Sequence, residues 1–382
     1  MRFNLKMHKN EGRIKMKKVL SWVITIFLVA SLTLAIGCTK ANVTPTTPSS
    51  TPTTQSPVAT QTSPTPSPTP TEFNPDTNPD KISYDQLEAK FGPVPSPTPG
   101  ITIGAVFKNL ANEFWVALEQ GYQNKAKEYG IQVDCQATRS ETDLDAQLSI
   151  LETMIGKGYK GYLLSPLSNE NLNSAVAKIK ATGLPIVNVN CEFIADADVF
   201  VGSMQLDIGR LAGEYIGQKL GGKGKVAIIE GVPGSYTSTC RVSGFKEVIQ
   251  AKYPGIEIVA SQPADYEREK GMNVAMNILT AHPDLDAIYG CNDNMALGAV
   301  EALRTVGKLG KVLVIGIDGT KQAYESIAKG ELTGTIDQFP MKTGEIAMEV
   351  LLRLLGGQHI PRVVSTPIKM IDSSNYQEYM PK

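Results

Sequence analysis

From residue 101 onward, short apolar runs alternate with stretches whose apolar residues recur at helical spacing. The runs fall at 101–107, 131–136, 161–165, 185–190, 226–230, 256–261, 286–289, 312–317 and 333–336, each of strand length. Between the first two, Phe114, Leu118, Tyr122 and Ala126 predict one buried face of a helix over 112–129. Leu144, Leu148, Leu151 and Ile155 do the same for the next, with Thr142 and Asp145 in capping-box positions at its start. Further helices are predicted at 171–182, 239–253, 268–281, 293–306, 321–329 and 341–356. Strict alternation of strand and helix predicts parallel sheets covered on both faces. The strands fall into two groups, so the expected class is α/β, with two doubly wound parallel-sheet lobes.

The chain ahead of residue 101 has a different character. Lys17 and Lys18, a mostly apolar run over 19–36, then Gly37 and Cys38 read as a secretory leader. Leu34, Ala35, Ile36, Gly37 and Cys38 resemble a lipobox, which implies lipidation of Cys38 and a leader spanning 1–37. A plain secretory signal or a retained membrane anchor is the alternative. Met16, Lys17 and Lys18 make a complete start of their own, so translation is expected to begin at Met16. Residues 39–71 are mostly Thr, Pro and Ser, with Lys40 the one charge, a composition that cannot bury a core. In polyproline conformation such a tract reaches on the order of 100 Å. Residues 38–100 are read together as a lipid-anchored spacer, and a short amphipathic piece at 83–91 is assigned no role.

Charge narrows the function classes. The sequence has 37 basic and 38 acidic residues and a net charge of -1, so it offers no electrostatic footprint for nucleic acid. Five cysteines form no CxxC pair, and His8, His282 and His359 lie near no nucleophile motif. No catalytic residue, metal site or cofactor is expected, and no enzymatic activity.

The candidate chemistry is polar side chains at strand ends. Asn292 follows the run 286–289 where a helix begins, and it is either a helix cap or a ligand group. Six further residues sit in comparable positions: Asn112, Asn190, Arg241, Tyr266, Asp318 and Gln338. In an open α/β sheet the carboxyl ends of strands are where ligands bind, and two facing sheets would gather all seven into one cleft. Their planar, two-pronged hydrogen bonding suits neighbouring sugar hydroxyls, and Phe114, Trp115 and Tyr266 could stack on a pyranose ring.

The region 101–371 resembles periplasmic sugar-binding proteins of the ribose-binding type. The resemblance rests on Asn112, Glu113, Phe114 and Trp115; on Ser261 through Tyr266; on Thr280 through Asp284; on Asn292 through Gly298; on Gly316 through Thr320; and on Thr335 through Gln338. It implies a type I periplasmic-binding fold, with lobes at 101–204 plus 339–367 and at 205–338 plus 368–376. Three hinge crossings are expected near Met204, Gln338 and Ile368. The implied ligand set is Asn112, Phe114, Trp115, Asn190, Arg241, Tyr266, Asn292, Asp318 and Gln338, with Lys108 and Asn109 added from the same first loop. Partners would be a monosaccharide and an ABC transporter permease, with the protein monomeric on the outer face of the membrane; a sensing receptor is the rival role. Ribose binders carry an Asp-Arg pair where this chain has Asn190 and Cys191, so glucose, galactose or xylose is expected ahead of ribose. Cys191, Cys240 and Cys291 each neighbour a candidate residue, as small apolar fillers or as a metal or disulfide site, and Cys135 is expected in the core. Intact-mass and peptide mass spectrometry of the native N-terminus should find Cys38 acylated and N-terminal; an unmodified Cys38 inside a retained leader would contradict the lipoprotein expectation.

Overall fold

The structure is a computed structural model and describes residues 73–381; the leader, Cys38 and the Thr/Pro/Ser tract at 39–71 lie outside the described residues. In chain order the first lobe begins with β1 (Lys81–Ser83) and α1 (Leu87–Phe91). It continues through β2 (Thr102–Asn109), α2 (Glu113–Glu128), β3 (Gln132–Thr138), α3 (Leu144–Met154), β4 (Tyr162–Leu164), α4 (Asn173–Lys180), β5 (Ile186–Val189) and β6 (Val199–Gly202). The second lobe comprises α5 (Gln205–Lys219), β7 (Lys223–Glu230), α6 (Tyr236–Lys252), β8 (Gly255–Pro263), α7 (Arg268–Ala281), β9 (Ala287–Gly290), α8 (Asp293–Thr305), β10 (Leu313–Asp318), α9 (Lys321–Ala328) and β11 (Gly334–Asp337). The chain then returns to the first lobe for α10 (Pro340–Leu355) and β12 (Val363–Ser365). It ends in the second with β13 (Lys369–Asp372) and α11 (Tyr376–Tyr379).

The expected α/β class is the one observed. One sheet has seven strands in the order β1-β12-β6-β5-β4-β2-β3 and the other six in the order β13-β11-β10-β9-β7-β8. Central strands such as β9 are buried along their whole length because helices cover both faces, which is why they read as continuous apolar runs. The chain passes between sheets three times: after β6, after β11 and after β12. Ser203 and Thr366 hydroxyls, 3.1 Å apart, join the first and third passages.

Six sequence expectations are corrected. Residues 81–91, read as part of the spacer, form β1 and α1, and β1 extends the first sheet by pairing with β12. β6, β12 and β13 escape a periodicity reading because they are only three or four residues long. β13 also departs from the all-parallel pattern, running antiparallel to β11. The helix α5 is hidden by Gly209, Gly213 and Gly217, which lower helix propensity but stand at four-residue spacing on one face. They are small because α6 packs there: a Cβ on Gly209 would lie 2.2 Å from the Arg241 carbonyl oxygen. At α3 the cap is Asp143, which accepts from the Ala146 amide at 3.1 Å, in place of Thr142. The buried face of α3 is Gln147, Leu151 and Met154, while Leu144 is exposed. Gln147 is tolerated inside because its amide donates to the carbonyls of Phe107 and Ser165 and accepts from the Leu167 amide.

Candidate functional site

The carboxyl ends of both sheets face one small cavity. It is lined from the first lobe by Lys108, Asn112, Phe114, Trp115, Glu141 and Cys191. The second lobe contributes Thr237, Arg241, Tyr266, Asn292 and Asp318. Eight of the eleven sequence-predicted residues therefore meet there, and Asn109, Asn190 and Gln338 stand just behind them.

Each lining side chain is fixed by the element that carries it. Asn112 caps α2 by accepting from the Phe114 amide at 3.0 Å, which points the first helical turn, with Phe114 and Trp115, at the cavity. Those two rings meet edge to face, 4.9 Å between centroids and 82° between planes. Asn292 caps α8, accepting from Met295 at 2.9 Å while donating to the Tyr266 carbonyl at 3.2 Å. The cap and ligand readings of Asn292 are thus compatible, since an amide has one more donor and one more lone pair to offer. Tyr266 lies against Gly231, where a Cβ would come within 2.0 Å of its ring. Asp318 ends β10, and the next two residues are held by the buried Asp293, which accepts from the amides of Gly319 and Thr320 and the hydroxyls of Thr320 and Thr335.

Strain concentrates here. Among the described residues, six other than glycine have positive φ: Asn190, Cys191, Asp265, Tyr266, Asp318 and Phe339. All six sit at the cavity, beside it, or at a passage between lobes. Backbone of this kind costs roughly 1–3 kcal/mol per residue and persists where the surroundings over-determine it, as at ligand sites.

Charge is buried in two sets. In the first lobe Lys108 forms an ion pair with the fully buried Glu192 and lies 4.0 Å from Glu141 and 5.9 Å from the Trp115 ring centroid. Burial is the largest influence and pulls the ammonium pKa down, but Glu192 and the other anionic neighbours together outweigh it, so Lys108 stays charged. Glu141 accepts from Trp115 Nε1 and Asn109 Nδ2, both at 3.1 Å; burial raises its pKa and Lys108 opposes the rise. In the second lobe Arg241 donates to the Cys291 carbonyl at 2.6 Å and to Gln205 Oε1 at 2.8 Å. Gln205 donates to Asn190 Oδ1 at 3.3 Å, Asn190 donates to Gln338 Oε1 at 3.4 Å, and Gln338 donates to Asp318 Oδ1 at 3.1 Å. This chain runs from Arg241 to Asp318 through residues flanking two of the passages between lobes. The second oxygen of Asp318 and the hydroxyl of Thr237 are buried with no hydrogen-bond partner among the described residues. Burial, then neighbouring Asp293, pushes the Asp318 carboxyl well above the ordinary range, and Arg241 opposes them. Two polar atoms left unpartnered on residues that line a cavity are what a hydroxylated ligand would satisfy.

Residues 103–359 match the profile of the periplasmic binding protein domain. The chain belongs to the periplasmic binding protein family. The D-allose-binding periplasmic protein of Escherichia coli is 36% identical over 278 residues, 70% of this chain and 89% of that protein. The ribose import binding protein of Bacillus subtilis is 35% identical over 270 residues, 70% of this chain and 86% of its own. A periplasmic solute binding protein of an ABC transporter from Actinobacillus succinogenes, solved with bound D-allose, superposes with a TM-score of 0.70 at 34% identity, covering 73% of this chain and all of that one. Membership confirms the resemblance carried by the sequence motifs. Among the described residues no helix is long and apolar enough to cross a membrane.

For this family member, three cavity residues and two supporting ones were not singled out as candidates by sequence. Glu141 lies three residues beyond β3, in the position that marks the other candidates. Gln205 follows β6, which was itself unassigned. Cys191 and Glu192 follow Asn190, and Thr237 opens α6, whose start was placed three residues too late. Asn109, in turn, is a loop builder: its Oδ1 accepts from the Ala111 and Asn112 amides. Cys135, Cys191, Cys240 and Cys291 are all free thiols. Burial pushes Cys191 and Cys291 up to about 12, so neither is a thiolate at neutral pH. Peptide mapping after alkylation at pH 8 should find Cys191 and Cys291 unmodified in folded protein and modified after denaturation; modification in the folded state, or a disulfide between them, would contradict this packing.

Proposed function

We propose that this family member captures a single monosaccharide in pyranose form between its lobes and presents it to an ABC importer, anchored outside the cell membrane through a lipid on Cys38. The observation that carries the reading is the pair of unpartnered buried oxygens, Asp318 Oδ2 and Thr237 Oγ1, in a cavity walled by Phe114 and Trp115. The cavity is small and walled by side chains of both lobes, which favours one ring over an oligosaccharide. Aromatic edges and faces take the apolar side of the ring, and amides and charged groups take its hydroxyls. Charged hydrogen bonds contribute roughly 1.5–3 kcal/mol each and neutral ones about 1, against the ~8 kcal/mol of micromolar binding.

The sugar reading widens the sequence expectation. Allose is an aldopyranose like glucose, galactose and xylose, and the likeness to D-allose-binding relatives is the reason to add it to the panel. Ribose was set behind because Asn190 and Cys191 replace an Asp-Arg pair; Lys108, Glu141 and Glu192 supply charge on that side of the cavity by another route. Ligand contacts from both lobes exist together only when the lobes are closed, so binding favours closure, the form that a permease would read.

Isothermal calorimetry of the full chain against D-allose, D-ribose, D-glucose, D-galactose and D-xylose should give at least one micromolar or tighter dissociation constant. Asp318→Ala and Arg241→Ala should each weaken that binding by roughly tenfold or more. No heat with any of the five sugars, or unchanged affinity in both variants, would overturn the assignment.

A further inference from the structure

The segment just ahead of β1 reads Asn74, Pro75, Asp76, Thr77, Asn78, Pro79, Asp80, two copies of Asn-Pro-Asp four residues apart. It precedes the residues matched by the family profile. Each copy folds on itself: the Asp76 amide donates to Asn74 Oδ1 and the Asp80 amide to Asn78 Oδ1, both at 2.9 Å. With prolines restricting the chain between these turns, the segment is a stiff strap. Its base is fixed to the first lobe, where Asp80 accepts from the Arg362 and Val363 amides and β1 pairs with β12.

Its tip leaves the first lobe. Asp76 Oδ1 accepts from the Leu206 amide at 3.2 Å, in the first turn of α5, a helix whose own N-cap residue Met204 provides no side-chain cap. The other Asp76 oxygen accepts from the Tyr236 hydroxyl, whose oxygen also lies 2.9 Å from Asn74 Oδ1; Tyr236 opens α6. Around this polar knot, Phe73 packs edge to face on Phe193, and Phe193 on Tyr236, with centroids 5.6 and 5.0 Å apart. Arg362 covers the other face of Phe73 at 4.6 Å. Asp76 is thus bonded to the starts of two second-lobe helices by a strap rooted in the first lobe. Both helices serve the site, since α5 supplies Gln205 and α6 supplies Thr237 and Arg241.

We propose that residues 73–80 are a latch that holds the second lobe against the first and raises the population of the closed form independently of the ligand. None of the strap residues lines the cavity. With the latch engaged the closed form is the majority of the free protein, so amides protected by closure exchange in proportion to the small open population, while affinity changes little until the closed form becomes the minority. Removing one charge-assisted bond should therefore raise the open population by roughly tenfold and lower affinity by less.

The test uses the full chain with Asp76→Asn and Tyr236→Phe, two near-isosteric changes. A ligand-free reporter of closure lies at a separate contact: the Gln322 amide of α9 donates to Glu113 of α2 at 3.1 Å, between lobes. Residue-resolved hydrogen exchange without sugar should show Gln322 exchanging about tenfold faster in either variant, with β7 core amides unchanged. Calorimetry with D-allose, where wild type binds it, should show a loss of affinity smaller than the change in exchange. Unaltered exchange at Gln322 in both variants would overturn the latch, whatever the sugar result. Absence of D-allose binding by wild type would count against allose as the ligand while leaving the exchange result to decide the latch.

Discussion

Charge buried between two lobes is the constraint on which the rest of this structure depends. Lys108, Glu192, Arg241 and Asp318 are all nearly or wholly inaccessible, and taking such groups out of water costs several kcal/mol each unless they are paired and hydrogen-bonded. Lys108 is answered within its own lobe by Glu192. Arg241 and Asp318 are answered through Gln205, Asn190 and Gln338, residues at the passages between lobes. Arg241 thus finds its direct partners within the second lobe and Asp318 finds Gln338 at its edge, while Asn190 of the first lobe ties the two glutamines together. The oxygens of Asp318 and Thr237 that are left without a partner among the described residues belong to side chains lining the cavity, where a ligand adds to the same network.

The backbone is shaped to the same end. Asn190, Cys191, Tyr266 and Asp318 hold conformations that other residues avoid, each at the mouth of a strand. The sheets beneath them are rigid and the helices above are capped by site residues themselves, Asn112 and Asn292 among them. Local capping and ligand geometry are thus one design, and a sugar hydroxyl meets groups already in place. Preorganisation of this kind lowers the ordering cost of binding.

Much of this was legible in the sequence, because long buried strands and helix caps leave periodic and positional marks. The alternation of apolar runs gave the α/β class, and polar residues just past strand ends gave most of the cavity. What was missed has physical reasons. β6, β12 and β13 are too short to show a period, and α5 trades propensity for the close approach of Gly209 to α6. Losing β6 hid Gln205, the link between Arg241 and Asn190. The strap at 73–80 was taken for spacer because its composition is that of a spacer; only tertiary contacts to Leu206 and Tyr236 distinguish it.

The central claim is that a monosaccharide completes the hydrogen bonding of Asp318 and Thr237 between closed lobes. A crystal structure of the protein grown with D-allose tests it most directly. The account predicts the pyranose ring against Phe114 and Trp115, with hydroxyls within hydrogen-bond distance of Asp318 Oδ2 and Thr237 Oγ1. A sugar bound elsewhere, or bound in the cavity with both oxygens still unpartnered, would contradict it.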